Sequence, residues 1–203
     1  MVDTTARFFI ALVPPPAIQD YANGVIRELG DRFQSHTAKA PPHVTLQPPF
    51  EWSPARAERL ADELATFAQR QVSVPVHLLG FGQFSPRVLY IHVEKTAELL
   101  ALQANLVEHL EQTLGIVDLK GRRRRFTPHV TVASRNLTPP TFQQAWALLK
   151  ERSVDLKFQS DRLTLLQHSG QRWQIYREFS LLAPSILPME RGDALGVGDR
   201  PIG

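Results

Sequence analysis

The tetrapeptide Pro-His-Val-Thr occurs twice, at residues 42–45 and 128–131, with its histidines 86 positions apart. In an extended segment successive side chains point to opposite faces. His43 and Thr45 therefore share one face, with Val44 and Leu46 on the other, and His129 and Thr131 stand in the same relation to Val130 and Val132. Each copy buries its aliphatic residues and presents one imidazole and one hydroxyl. Two copies facing each other would place two imidazoles and two hydroxyls in one site. Imidazole titrates near pH 6.5, so one histidine can take a proton from a nucleophile while the other gives one to a leaving group. Threonine hydroxyls can donate to anionic oxygens. Base, acid and donors, beside a ribose 2′-oxygen, are the set that phosphodiester chemistry on RNA requires, and that scheme needs no metal. Zinc normally takes three or four protein ligands; two histidines fall short, and neither copy contains a carboxylate.

The net charge of +3 has one source. Lys120 and Arg122 to Arg125 supply five cations in a short stretch, and without them the balance is 18 basic against 20 acidic residues. A single basic block on a slightly acidic body does not suit a coat for long duplex DNA. It is either a solvated loop or a positive lip that draws phosphate toward His129, with one or two of Arg122, Arg123, Arg124 and Arg125 in contact. Phe50 and Phe126 flank the two copies and can stack on a base, although core packing is the preferred reading for both. Tyr90 is a further candidate substrate contact and shares a strand face with His92. His36, His77, His92, His109 and His168 are read as packed or surface histidines. Gly80-Phe81-Gly82-Gln83-Phe84-Ser85 imitates a dinucleotide fingerprint, but the third glycine and the following helix are missing.

The elements that must position the two copies recur as well. Phe8 to Val13 reads as a buried strand stopped by Pro14-Pro15-Pro16. Ile18, Tyr21, Val25, Leu29 and Phe33 mark one helix face. His43 to Leu46 is a strand ended by Pro48-Pro49. A second helix carries Leu60, Leu64 and Phe67, with Ser53 as its N-cap and Pro54 at its first position. A strand from Val72 to Leu79 follows, its Pro75 suggesting an edge or a bulge. The order then repeats: a strand from Val88 to Val93, a helix with Leu99, Leu102, Leu106, Leu110 and Leu114 that stops at Gly115, and a strand from Pro128 to Val132. Thr138 caps a helix that buries Phe142, Trp146 and Leu149. Strand from Val154 to Gln167 and from Trp173 to Leu182 completes the series, with a turn at Ser169-Gly170. The first strands of the two series, at Phe8 and Val88, are offset by nearly the same interval as the two histidines. An internal duplication accounts for both spacings. The expected fold is α+β: two pseudo-two-fold-related halves of antiparallel sheet plus helices around a central cleft. Residues 1–183 form one bilobal domain with lobes near 1–86 and 87–183, exchange of strands between them being allowed. Residues 184–203 read as a Pro/Gly-rich tail.

A composition of 43% hydrophobic and 21% charged residues excludes disorder as the default state. The absence of cysteine excludes disulfides, thiolate metal sites and cysteine nucleophiles. No apolar run reaches the roughly 18 residues of a membrane span, and Met1 to Arg7 lacks the pattern of a signal peptide. A cytoplasmic protein with no obligate protein partner is expected.

Two His-x-Thr-hydrophobic motifs at this separation resemble the 2H phosphoesterase superfamily, and within it the bacterial 2′-5′ RNA ligase family and the related RNA 2′,3′-cyclic phosphodiesterases. Arg7-Phe8-Phe9-Ile10-Ala11-Leu12 is similar to their first strand, Arg87-Val88-Leu89-Tyr90 to the strand opening their second half, and Phe126-Thr127-Pro128-His129-Val130-Thr131-Val132 to their second motif. Gln47-Pro48-Pro49-Phe50 departs from the basic and aromatic stretch that commonly follows the first. The resemblance spans about residues 6 to 182. It implies a bilobal α+β fold with both histidines in a central cleft. It implies opening of 2′,3′-cyclic phosphates to 2′-phosphates without metal or other cofactor, and in some members reversible 2′-5′ ligation. His43 and His129 would be the acid–base pair, His43 the acid and His129 the base as related enzymes are often assigned, with Thr45 and Thr131 holding the phosphate. The expected partner is an RNA end or a nucleotide cyclic phosphate. The alternatives are a non-catalytic RNA-end binding module and a related enzyme for a small non-RNA cyclic phosphate.

Overall fold

The structure is a computed structural model of the chain and describes residues 5–118 and 125–183. Eight strands and four α-helices lie among the described residues. They are β1 (Ala6–Leu12), α1 (Pro16–Phe33), β2 (Val44–Trp52), α2 (Ala57–Ala68), β3 (Val74–Phe84), β4 (Val88–Val93), α3 (Ala97–Leu114), β5 (His129–Ala133), α4 (Pro139–Leu149), β6 (Asp155–Ser160), β7 (Arg162–His168) and β8 (Trp173–Ser180). The strands form one curled antiparallel sheet in the order β6-β3-β4-β5-β2-β1-β7-β8. The fold is α+β, and the two Pro-His-Val-Thr strands, β2 and β5, are neighbours at its centre. They share a single register pair, Val44 with Val130.

Each side of the sheet borrows strands from the opposite half of the chain. β3 pairs with β4 although it lies before residue 86, and β7 and β8 pair beyond β1 although they are the last strands among the described residues. The four helices pack apolar stripes on one main core. α1 buries Ile18, Ala22, Val25 and Leu29, and α3 buries Leu99, Leu102, Leu106 and Leu110, both at the spacing of a helix face. Phe8, Ile10 and Leu12 of β1 belong to this core. Phe9 and Ala11, on the other face of the strand, join Leu166 and Trp173 in a smaller cluster. No helix among the described residues is long and apolar enough to cross a membrane.

Several boundaries follow the expected chemistry. Proline at the start of α1 lacks only an N–H that a first helical turn leaves unpaired. Gly115 closes α3 with φ 67°, a left-handed conformation that glycine adopts freely. Thr138 caps α4 through a reciprocal capping box with Thr141.

Others differ from the sequence reading. β2 does not end at Pro48-Pro49 but runs through to Trp52. Its register against β1 shifts once across Pro48-Pro49 and once more at Leu46, so a bulge accommodates the prolines that cannot donate. Pro54 opens a short 3₁₀ turn, Pro54–Arg56, and the Ser53 side chain caps nothing. β3 continues past Leu79 to Phe84, because β4 supplies a second partner from Leu78 onward. Pro75 lies beyond the end of β4, where only β6 flanks it. The expected strand from Val154 to Gln167 is two strands, broken at Asp161, which serve opposite ends of the sheet order. Trp146 is half-buried rather than buried.

Candidate active site

Each histidine follows a proline, Pro42 or Pro128. A residue before proline is held extended, which fixes the carbonyls of Pro41 and Thr127. His43 Nδ1 donates to Pro41 O at 2.7 Å and His129 Nδ1 donates to Thr127 O at 2.7 Å. A carbonyl can only accept, so the proton sits on Nδ1 in both rings. The lone pair of each neutral ring is therefore on Nε2, the atom free to exchange a proton. The same two-residue loop back to a carbonyl sets both tautomers.

Aromatic rings seat the imidazoles. The His43 ring lies 4.7 Å from the Phe9 ring, which is itself edged by Trp173 at 4.6 Å. The His129 ring lies 5.0 Å from Tyr90 and 5.1 Å from Phe84. Tyr90 reaches its place because Gly82, opposite it on β3, has no side chain; a Cβ there would collide with the Tyr90 ring. That steric fit, and not a phosphate, explains this glycine of the Gly-Phe-Gly segment.

Both histidines line a cleft of about 210 Å³. Thr131 is part of its wall, as are Phe84, Val88, Ala40 and Ser134. Thr45, opposite Ala11 on β1, is half-buried and not part of the wall. Burial pushes both histidines below the ordinary value, and their hydrogen bonds to Pro41 and Thr127 oppose it. A charge on His129 lowers His43 further. The pair thus favours at most one shared positive charge, an arrangement in which one ring can give a proton while the other accepts one.

Tyr90 lies outside the wall: it is buried behind His129, and desolvation raises its phenol. Phe50 stacks on Phe8 at 6.3 Å, and both Phe50 and Phe126 pack against the main core. Arg125 is exposed, while Lys120, Arg122, Arg123 and Arg124 lie outside the described residues, as does 184–203. Phe9 and Phe84 carry no signal of a role in the sequence. The unbroken apolar run from Phe8 to Val13 hides the two-residue period of β1. Phe84 sits in what reads as a turn, although its spacing from Gly82 places both on one strand face.

The sequence profile of the 2′-5′ RNA ligase superfamily matches residues 14–172. A relative from Bacillus cereus, described as an inferred phosphoesterase, is 32% identical over 175 residues, covering 85% of this chain and 95% of its own. One from Geobacillus kaustophilus, described likewise, is 29% identical over 177 residues, with the same coverage. TT0787 of Thermus thermophilus has a similar fold, with a TM-score of 0.66 at 19% identity over 87% of this chain and 98% of its own. So does LigT of E. coli, with a TM-score of 0.63 at 17% identity over 88% and 98%. With its paired Pro-His-Val-Thr strands at the centre of such a sheet, the chain belongs to the 2′-5′ RNA ligase superfamily of 2H phosphoesterases.

Proposed function

We propose that the protein opens 2′,3′-cyclic phosphates at RNA ends to 2′-phosphates, without a metal. The observation that carries this reading is the matched pair of Nδ1-anchored histidines at one cleft, neither Nε2 making a hydrogen bond among the described residues. In the proposed reaction His129 accepts a proton from water as its oxygen bonds to phosphorus. The bond from phosphorus to O3′ breaks, and His43, which enters the step as the imidazolium, gives its Nε2 proton to that leaving oxygen while Nδ1 keeps its bond to Pro41. The products are a 2′-phosphate and a free 3′-hydroxyl. His129 ends protonated and His43 neutral, and one proton exchanged with solvent resets the pair. Thr131, on the cleft wall, donates to a non-bridging oxygen. Run in the same direction with a 5′-hydroxyl oxygen in place of water, the same steps make a 2′-5′ linkage, and run backward they cleave it. LigT, which has this fold, has been solved with 3′-AMP bound.

The test is incubation with an oligonucleotide ending in a 2′,3′-cyclic phosphate in the presence of EDTA. A 2′-phosphate end alone is expected. His43→Ala and His129→Ala should each slow the reaction at least ~10²-fold, the usual share of one proton-transfer group. A 3′-phosphate product, no turnover, or loss of turnover on adding EDTA refutes the proposal.

A further inference from the structure

We propose that Arg7, His168 and Trp173 form a second anion site, which holds the phosphodiester one nucleotide upstream of the end bound at His43 and His129. It rests on the cyclic-phosphate reading and narrows its substrate to oligonucleotides rather than mononucleotides.

The antiparallel register of β1 on β7, with Phe8 opposite Gln167, brings Arg7 beside His168. Both line a hollow of about 370 Å³ with Thr5 and Gly170. His168 is in turn opposite Trp173 on β8. The Arg7 guanidinium lies 5.6 Å from the Trp173 ring centre and the His168 ring meets the indole edge-on at 4.9 Å. Trp173 thus positions both groups, the guanidinium through its ring face.

Their donors are unspent. Gly170, in the turn at φ 91°, donates its N–H to His168 Nδ1 at 3.1 Å. Nδ1 is thereby an acceptor, and the proton of the neutral ring sits on Nε2, which makes no hydrogen bond among the described residues. Arg7 makes no ion pair among the described residues. The carboxylate opposite it on β2, Glu51, accepts from Thr5 Oγ1 at 3.3 Å. A guanidinium fork beside an imidazole N–H is the donor set that a phosphate group fits.

The position relative to the histidines names the ligand. Phe9 touches Trp173 on one side and the His43 ring on the other, at 4.6 and 4.7 Å. The second site is thus one aromatic side chain away from the first, along the same face of β1, within reach of the next unit of a chain whose end is held at the cleft.

The test compares a mononucleotide 2′,3′-cyclic phosphate with a trinucleotide ending in the same group. Wild-type kcat/KM should favour the trinucleotide at least tenfold. Arg7→Gln, and His168→Phe, which keeps a ring against Trp173, should each shrink that preference at least tenfold through KM. Arg7→Gln should also reduce the salt dependence of trinucleotide binding by about 0.7 in the log–log slope, the share of one phosphate neutralised on a single strand. Equal losses on both substrates, or no preference in the wild type, would overturn the site. If neither substrate turns over, binding of a labelled trinucleotide decides: weakening by Arg7→Gln keeps the anion site while the phosphodiesterase reading falls, and unchanged binding overturns the anion site as well.

Discussion

Gly82→Ala should injure the catalytic cleft from behind. Gly82 has no positive φ, so the effect is steric alone. The new methyl carbon would stand 2.5 Å from the Tyr90 ζ carbon and 2.7 Å from its hydroxyl oxygen. Carbon contacts settle near ~3.5–4.0 Å, so the ring must move by about 1 Å. It has little freedom, being 8% exposed with the Phe84 ring at 4.6 Å and the His129 ring at 5.0 Å. Overpacking of this kind costs about 1–3 kcal/mol, and each kcal/mol lowers Tm by about 2–4 °C in a domain of this size. Passed on to His129, a displacement of about 1 Å costs on the order of 10²-fold in turnover. Thermal melts and cyclic-phosphate turnover should therefore fall together. Tyr90→Leu supplies the control, because it removes the ring that the methyl meets. In that background Gly82→Ala should cost less than about 0.5 kcal/mol, the scatter expected of uncoupled sites. An unaltered Tm and rate for Gly82→Ala, or the same cost in both backgrounds, would show that Tyr90 is no wedge between Gly82 and His129.

Stability should also track the two histidines through pH. Their folded values lie below the ordinary 6.5, so the unfolded chain binds more protons as pH falls through that value, and stability is lost from about pH 6.5 downward at no more than about 1.4 kcal/mol per pH unit per histidine. Urea melts of the His43→Gln/His129→Gln protein should show a flatter profile in this range, and an identical slope would refute the linkage. Thr164 is fully buried and its hydroxyl finds no partner among the described residues; Thr164→Val should therefore raise Tm, by about 2–4 °C if about 1 kcal/mol of unmet polarity is removed. Thr138→Ala removes the side-chain acceptor of the α4 capping box, leaving the Thr141 N–H without it, and should cost about 1 kcal/mol in chemical denaturation.

Features governed by neighbours in sequence were readable from it. Alternation put His43 with Thr45 and His129 with Thr131, leucine spacing marked α3, and Gly115 and Thr138 closed and opened their helices through local hydrogen bonds. What escaped depends on partners far along the chain. Pro48-Pro49 reads as a stop until β1 is known to offer a ladder that tolerates bulges. Asp161 reads as part of one strand until β3 and β1 pull its two sides to different neighbours. Tyr90 has the composition of a substrate contact, and only the vacant space at Gly82 turns it inward. Thr45 shares the motif but not the cleft wall, because the two strands meet their neighbours in different registers: Thr45 faces Ala11, whereas Thr131 faces Tyr90.

The placement of β1 also bears on how the chain is made. Its segment Ala6–Leu12 is among the most apolar in the protein, yet one of its two flanking strands, β7, begins only at Arg162. A growing chain has formed nearly every other element before that neighbour emerges from the ribosome. Until then one edge of an apolar strand stands open to pairing with other chains. Closure of the sheet is a late, long-range event, of the kind that makes folding slow. A chain truncated within β6 would leave that edge permanently bare, and insoluble fragments, rather than a stable half-domain, are the expected product of shortening it there.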